Sequence, residues 1–147
     1  VYMTRNGDYN LSDSKENQKR SDLANRKRII FENDPLAVIS IHQNSYHEES
    51  IHGAQVFYYE HSESGEKDAR ILQEALLAVD PDNTRQVKAN TTYYLLKRTE
   101  VPILIVECGF LSNQSEADLL LTEDYQSKLA HAIYLGILSY LEEESLL

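Results

Sequence analysis

The sequence is poor in the features that would cross-link the chain or place it across a membrane. It contains one cysteine, Cys108, no tryptophan, five glycines and three prolines among 147 residues. A lone cysteine excludes an intrachain disulfide and a zinc site built from several cysteines. No apolar run approaches the ~20 residues that a transmembrane helix requires, and the N-terminus lacks a signal-peptide pattern. We therefore expect no membrane span in this chain.

Basic residues are also scarce. The chain has 24 acidic residues against 14 lysines and arginines, which gives a formal net charge of −10. Non-specific binding of nucleic acid depends on basic side chains that neutralise phosphates, so this charge argues against a nucleic-acid partner. The same charge would repel anionic membrane surfaces and anionic polymers. The length and the 41% hydrophobic content suit one globular domain.

Hydrophobic periodicity predicts an alternation of strands and helices. Helices are predicted at residues 16–32, 66–79 and 124–141. Strands are predicted at residues 1–4, 36–41, 54–59 and 102–106. This alternation is typical of an α/β domain, and we expect a mixed, mostly parallel sheet with helices on both faces.

Local patterns predict further details of this domain. The nearly continuous apolar run at 36–41 is typical of a central strand that is covered on both faces. Gly109 is expected to break the last strand. Asn113, with Glu116 three residues later, resembles a capping box and predicts the start of a short helix. Residues 142–147 are expected to form a frayed tail.

Two polar side chains follow the predicted strands directly. His42 comes after the strand at 36–41, and Glu107 comes after the strand at 102–106. In open α/β sheets, ligands usually bind beyond the carboxyl ends of the strands. The pattern therefore indicates His42 and Glu107 as candidate site residues, although polar residues at strand ends are common in any α/β protein.

The sequence motifs around His42 and Glu107 are more specific indicators of function than the positions alone. They are SIHQN at 40–44, GAQVFYY at 53–59 and VECGFLSN at 106–113. In this order they resemble the zinc-dependent N-acetylmuramoyl-L-alanine amidases, which cleave the amide between muramic acid and the stem peptide of bacterial peptidoglycan. The resemblance implies the layered amidase domain over residues 1–141, without its first strand and helix, followed by the tail at 142–147.

The resemblance also implies a zinc ion held by two histidines and one glutamate, with a second glutamate as general base. By motif match, His42 is the second histidine ligand. Glu107 is the catalytic carboxylate that activates the metal-bound water. The first histidine and the ligand glutamate are expected upstream of Val1, so this chain is expected to be inactive alone.

The resemblance also implies two substrate contacts, although the motifs that support them are less specific. Arg85 lies in a loop that, by resemblance, borders the substrate groove, where its guanidinium could bind carboxylates of the stem peptide. Asn44 could position the substrate or orient the loop after His42. Peptidoglycan is the implied partner, and the implied location is extracytoplasmic, in the cell wall or spore cortex. The −10 charge favours a wall low in anionic polymers, which would place the protein in sporulation or germination.

Three alternatives remain open at the level of sequence. The chain could be a non-catalytic peptidoglycan-binding or protein-binding module derived from this fold. A local metal site could combine His42, His47 and His52, although their spacing follows no helical or hairpin geometry. A cysteine mechanism could pair Cys108 with His42. Consecutive strand residues point to opposite faces, so Glu107 and Cys108 are not both expected to face one site.

Overall fold

The computed structural model describes residues 1–99 and 101–143. Within these residues the chain forms four strands and five helices. The strands are β1 (Val38–Asn44), β2 (Gln55–Tyr59), β3 (Lys88–Asn90) and β4 (Ile103–Phe110). The helices are α1 (Gln18–Asn33), α2 (Glu63–Leu77), α3 (Tyr94–Arg98), α4 (Gln114–Leu120) and α5 (Glu123–Glu143). The three long helices predicted from periodicity are confirmed, with ends that differ by a few residues.

The four strands make one mixed sheet in the order β1-β4-β2-β3. β1 pairs parallel with β4, β2 pairs parallel with β3, and β2 runs antiparallel to β4. The predicted mixed, mostly parallel sheet is therefore confirmed. β4 is the longest strand, lies between β1 and β2, and every one of its residues is buried.

Helices cover both faces of this sheet, as expected. One face packs against α2 and α5 through a cluster that includes Val56, Leu72, Val106 and Ile133. The other face packs against α1 and α3 through a smaller cluster. That cluster contains Ile30, Phe57, Leu95, Leu96, Ile103 and Ile105. Because β4 alternates its side chains between the two faces, it contributes to both cores.

The predicted central position of β1 is wrong. β1 lies at the edge of the sheet, and its residues are half-buried or exposed, with Ile41 at 58% exposure. β2 instead occupies an interior position, and four of its five residues are buried. An apolar run shows that a strand is hydrophobic, but which strand is central depends on pairing with segments far away in the chain.

Gly109 does not end β4, contrary to the prediction. The strand continues through Gly109 to Phe110, and the glycine adopts φ +155°. His42 pairs with Glu107, yet Asn44 pairs with Phe110, so two steps along β1 match three steps along β4. The glycine therefore belongs to a β-bulge, a device that bends a strand while leaving it in the sheet.

The chain ends and one connection also differ from expectation. Residues 1–4 form no strand, because they pair with none of the four strands of the sheet. β3 and α3 were not predicted, because both are too short to show a clear hydrophobic period. Glu142 and Glu143 belong to α5, so the predicted tail is wrong for these two residues, and 144–147 lie outside the described residues.

The contact between α2 and α5 requires a glycine. A β-carbon on Gly136 would lie 2.5 Å from the Leu72 Cδ1 atom and 3.2 Å from the Leu72 Cα atom. Leu72 is fully buried, so its side chain has little room to shift.

Gly136→Ala is therefore expected to lower the free energy of unfolding by about 1–2 kcal/mol through overpacking. This is expected although alanine is favoured over glycine within helices by about 1 kcal/mol. Urea unfolding monitored by circular dichroism measures the change. Ser139→Ala, on the exposed side of the same helix, is the matched control and should change stability by less than about 0.5 kcal/mol. A more stable Gly136→Ala protein would contradict the tight α2–α5 contact.

Candidate active site

The register of the sheet brings His42 and Glu107 side by side. The two residues are direct partners in the parallel β1–β4 ladder. On the other side of β4, Gln55 is the direct partner of Glu107 in the antiparallel β2–β4 ladder. Directly paired residues project from the same face of a sheet. His42, Glu107 and Gln55 therefore form a row across three strands, on the face covered by α1 and α3.

Glu107 is a buried carboxylate, and one of its two oxygens accepts no hydrogen bond. It is 6% exposed, and its Oε2 atom is buried without a hydrogen-bond partner. Burial raises the pKa of the carboxyl group, because desolvation disfavours the charged form. A buried acceptor of this kind is unusual in a folded protein and is suited to receiving a proton from a bound molecule.

His42 lies at the solvent-facing end of the row. Its Nε2 atom is 2.8 Å from the Ser40 Oγ atom. The residue is exposed, but neighbouring protein atoms still partly desolvate the ring. This desolvation, with smaller contributions from the Arg26 and Arg5 charges, lowers the pKa of His42. The imidazole is consequently neutral near pH 7, the form in which histidine binds metals.

Arg85 extends the row beyond Gln55. Its Nε atom donates to the His52 carbonyl oxygen at 2.6 Å, and its Nη1 atom donates to the Gln55 Oε1 atom at 3.2 Å. The guanidinium lies 4.5 Å from the centre of the Phe110 ring, a cation–π distance. Burial lowers the pKa of Arg85, and the Glu116 charge opposes that shift. These contacts hold the guanidinium in place while the Nη2 nitrogen has no described hydrogen bond.

Asn44 is the last residue of β1, and its side chain binds the backbone of the next residue. Its Oδ1 atom accepts a hydrogen bond from the Ser45 backbone nitrogen at 2.8 Å. Its carbonyl oxygen accepts one from the Leu111 backbone nitrogen at 2.8 Å. These bonds fix the loop that follows His42, and a role for Asn44 in substrate binding remains a prediction.

Comparison with known proteins relates this geometry to a family. A family model described as N-acetylmuramoyl-L-alanine amidase matches residues 1–139. The chain belongs to this family. The resemblance read from the sequence is thereby confirmed.

Individual relatives of this amidase chain agree with the family match. The germination-specific N-acetylmuramoyl-L-alanine amidase of Bacillus subtilis (strain 168) is 37% identical over 148 residues, which cover 98% of this chain and 62% of that protein. LytC, an amidase of the same strain, is 32% identical over 69% of this chain and 21% of its own length. The chain thus spans less than two thirds of either relative.

A solved relative confirms the fold. The CwlD amidase from Clostridioides difficile, in complex with the GerS lipoprotein, matches with a TM-score of 0.92 and 38% sequence identity. The match covers 97% of this chain and 75% of that chain.

The donor atoms of the His42–Glu107 pair fit part of a zinc site. A neutral histidine is a usual zinc ligand, and the unpaired Glu107 oxygen lies on the neighbouring strand. In residues 1–99 and 101–143, no group of three or more histidine, cysteine, aspartate or glutamate side chains could hold a metal ion. The alternative site of His42, His47 and His52 is therefore not formed. His42 is the single predicted ligand among the described residues.

Three residues near Glu107 were missed as site candidates. Gln55 is adjacent to Glu107 only because of the strand register, which no local pattern reveals. Tyr93 packs on Phe57 with ring centres 5.5 Å apart, and its pKa is raised by burial and by the Glu107 charge. Glu116 was noticed as part of a capping box, but its carboxylate binds other groups.

Cys108 lies on the opposite face of β4 from Glu107, as strand alternation predicts. It is 4% exposed and belongs to the core formed with α2 and α5. Burial, together with the Glu107 charge, raises the pKa of the thiol to about 11. A neutral thiol in an apolar core is a poor nucleophile, so the structure gives no support to the cysteine mechanism.

We expect Cys108 to react with a thiol reagent at pH 8 about a hundredfold or more slowly in the folded protein than in urea, because both burial and the raised pKa reduce exposed thiolate. Spectrophotometric thiol titration measures the two rates. Rapid labelling of the folded protein would contradict the burial of Cys108.

Cys108→Ala should leave the catalytic rate within about twofold of wild type.

Proposed function

We propose that this chain forms part of an enzyme that hydrolyses the amide bond between N-acetylmuramic acid and L-alanine in peptidoglycan. The observation that carries the proposal is the direct pairing of His42 with Glu107 on one face of the sheet. The family membership and the orphaned Glu107 oxygen support it. Activity, substrate and partners belong to the whole protein, and the chain spans only 62% of its germination-specific relative.

Glu107 is proposed as the general base. Its buried carboxylate would take a proton from the attacking water as the water oxygen bonds to the amide carbon. It would then pass that proton to the nitrogen of alanine as the carbon–nitrogen bond breaks. Burial favours this role, because a carboxylate with a raised pKa holds a proton more readily than an exposed one.

His42 is proposed as one ligand of a zinc ion, with the remaining ligands supplied by residues other than the described ones. When bound, zinc would supply Lewis-acid polarisation of the scissile carbonyl. The neutral ring and its place beside Glu107 support this role. The Ser40 hydroxyl would orient the ring until the metal is bound.

Arg85 is proposed to bind a carboxylate of the stem peptide, and Asn44 to order the loop at the edge of the groove. Arg85 suits this role because its guanidinium is already fixed by Gln55, His52 and Phe110, so little side-chain freedom is lost on binding. A planar guanidinium also matches carboxylate geometry better than an ammonium group does.

The proposed place of action is outside the cytoplasm, in the cell wall or the spore cortex. The name of the germination-specific relative supports a role in germination, and the net charge of −10 favours a wall low in anionic polymers, such as the cortex. The solved CwlD amidase is bound to a lipoprotein, and a similar partner is proposed here. No helix in the described part of the chain is long and apolar enough to span a membrane.

We expect His42→Ala and Glu107→Gln to separate metal binding from catalysis in the purified full-length protein. His42→Ala should lose zinc and activity because a ligand is gone. Glu107→Gln should keep zinc and lose about a hundredfold or more in kcat, since general-base catalysis contributes on that scale. Zinc is measured by atomic emission, and activity by release of stem peptide from purified cortex and vegetative walls.

The exposed residues His131 and Glu123 provide matched controls as His131→Ala and Glu123→Gln, which should keep both zinc and activity. Full activity in Glu107→Gln would reject the assigned base. Wild-type protein that binds muropeptides but releases no peptide would instead favour the non-catalytic binding module.

Arg85→Met is expected to raise KM about tenfold with a smaller change in kcat, because a charged hydrogen bond to the substrate is lost. The difference should shrink when the carboxylates of the stem peptide are amidated. Arg70→Met, on the far side of the sheet, is the control for loss of one positive charge. An equal effect of Arg85→Met on native and amidated stem peptides would rule out carboxylate recognition.

A further inference from the structure

Glu116 is a second buried carboxylate, and the mechanism above does not use it. It is 6% exposed. Its Oε1 atom accepts a hydrogen bond from the Gly53 backbone nitrogen, and its Oε2 atom accepts one from the Phe110 backbone nitrogen, both at 2.8 Å. Each oxygen of this carboxylate thus satisfies one buried backbone donor. Charge-assisted bonds of this kind are among the stronger ones in proteins.

Both backbone donors lie just beyond the Glu107–Gln55 pair, toward the C-terminal end of β4. Phe110 is three residues after Glu107, directly beyond the bulge of β4. Gly53 is two residues before Gln55, the β2 partner of Glu107. A single side chain therefore joins the end of β4 to the start of β2, next to the strand pair that holds Glu107.

The bulge is shaped around this carboxylate. A β-carbon on Gly109 would lie 3.0 Å from the Glu116 Oε1 atom and 3.1 Å from its Cδ atom. Gly53 has φ +99°, a left-handed conformation that favours glycine. The glycine at 109 lets the β4 backbone approach the carboxylate closely, whereas a β-carbon on Gly53 would lie 2.4 Å from the Asn83 Oδ1 atom.

Capping of α4 does not account for the carboxylate. The helix is capped by the Asn113 Oδ1 atom, which accepts from the Glu116 backbone nitrogen at 3.0 Å. In a reciprocal capping box, the glutamate side chain would accept from the Asn113 backbone nitrogen. That nitrogen instead donates to the Phe110 carbonyl oxygen at 3.0 Å, so the Glu116 side chain is left for Gly53 and Phe110.

We propose that Glu116 is a positioning residue for Glu107, because it holds the β4 bulge and the start of β2 at a fixed separation. The proposal rests on the proposed amidase function for its effect on catalysis. Glu116 touches no reacting atom in this scheme. It acts through the backbone that sets the direction of the Glu107 side chain.

The chemistry of the two contacts requires a carboxylate. Both partners are donors, and a carboxylate offers two acceptor oxygens, whereas an amide offers one acceptor and one donor group. Glu116→Gln has nearly the same shape but leaves one buried N–H facing another donor. This isosteric substitution therefore tests the carboxylate without removing the side chain.

The test compares wild type, Glu116→Gln, Asn113→Ala and Glu123→Gln in the full-length protein. Nuclear magnetic resonance gives the backbone amide shifts of Glu107 and Cys108 and the hydrogen-exchange rates of the Gly53 and Phe110 amides. Steady-state assays on muropeptides give kcat and KM. Thermal unfolding sets an assay temperature at which every variant is folded.

For Glu116→Gln we expect faster exchange at Gly53 or Phe110, shifted Glu107 and Cys108 amides, and a fall in kcat of about tenfold or more. Misplacement of a catalytic group by a fraction of an ångström can cost this much. KM should change less than kcat does, because Arg85 keeps its bond to the Gln55 side chain. Asn113→Ala should lower the unfolding temperature while keeping kcat, and Glu123→Gln should resemble wild type.

Two outcomes overturn the proposal. In one, the Glu107 and Cys108 amide shifts of Glu116→Gln match wild type, a result that does not depend on any enzymatic activity. In the other, Asn113→Ala and Glu116→Gln lower kcat equally, which would make the role one of α4 stability alone. A wild-type protein without amidase activity would reject the proposed function, while the resonance data would still decide whether Glu116 positions Glu107.

Discussion

The backbone ladder between β4 and its two neighbours is the constraint on which the site depends. It places Glu107 between His42 and Gln55 and buries its carboxylate with one oxygen unpaired. A buried, unpaired carboxylate oxygen costs free energy, so it persists only where the surrounding structure holds it. The ladder keeps Glu107 in this position, since moving the residue would break its backbone pairing with both β1 and β2.

β4 performs two tasks on its two faces. Leu104, Val106 and Cys108 pack into the core with α2 and α5, while Ile105 and Glu107 face α1 and α3. The alternation of a strand makes this division possible. The bulge after Glu107 then interrupts the strict alternation of side chains between the two faces of β4. Through that bulge, the Glu116 carboxylate and the Phe110 ring under Arg85 come to lie beside the site.

Much of the secondary structure could be predicted, because periodicity is a local property. The long helices were found from their apolar stripes, and the strand that contains Glu107 was found from its β-branched run. Predictions failed where the position or the end of a strand depends on which other strand pairs with it. The run at 36–41 is as apolar as a central strand, yet β1 is an edge strand because only β4 pairs with it. Gly109 resembled a strand end, but the pairing with β1 continues past it.

The sequence was enough to identify the family and the candidate pair His42 and Glu107, because characteristic short motifs surround both residues. Their expected position after the strands was wrong, since His42 lies within β1 and Glu107 lies within β4. Only the tertiary structure decided which residues adjoin that pair. Gln55, Arg85 and Glu116 come from separate segments, and they meet through strand register, a bulge and backbone hydrogen bonds. The Arg85–Gln55 and Glu116–Gly53 bonds join residues 30 and 63 positions apart, separations over which local sequence patterns carry no information about distance.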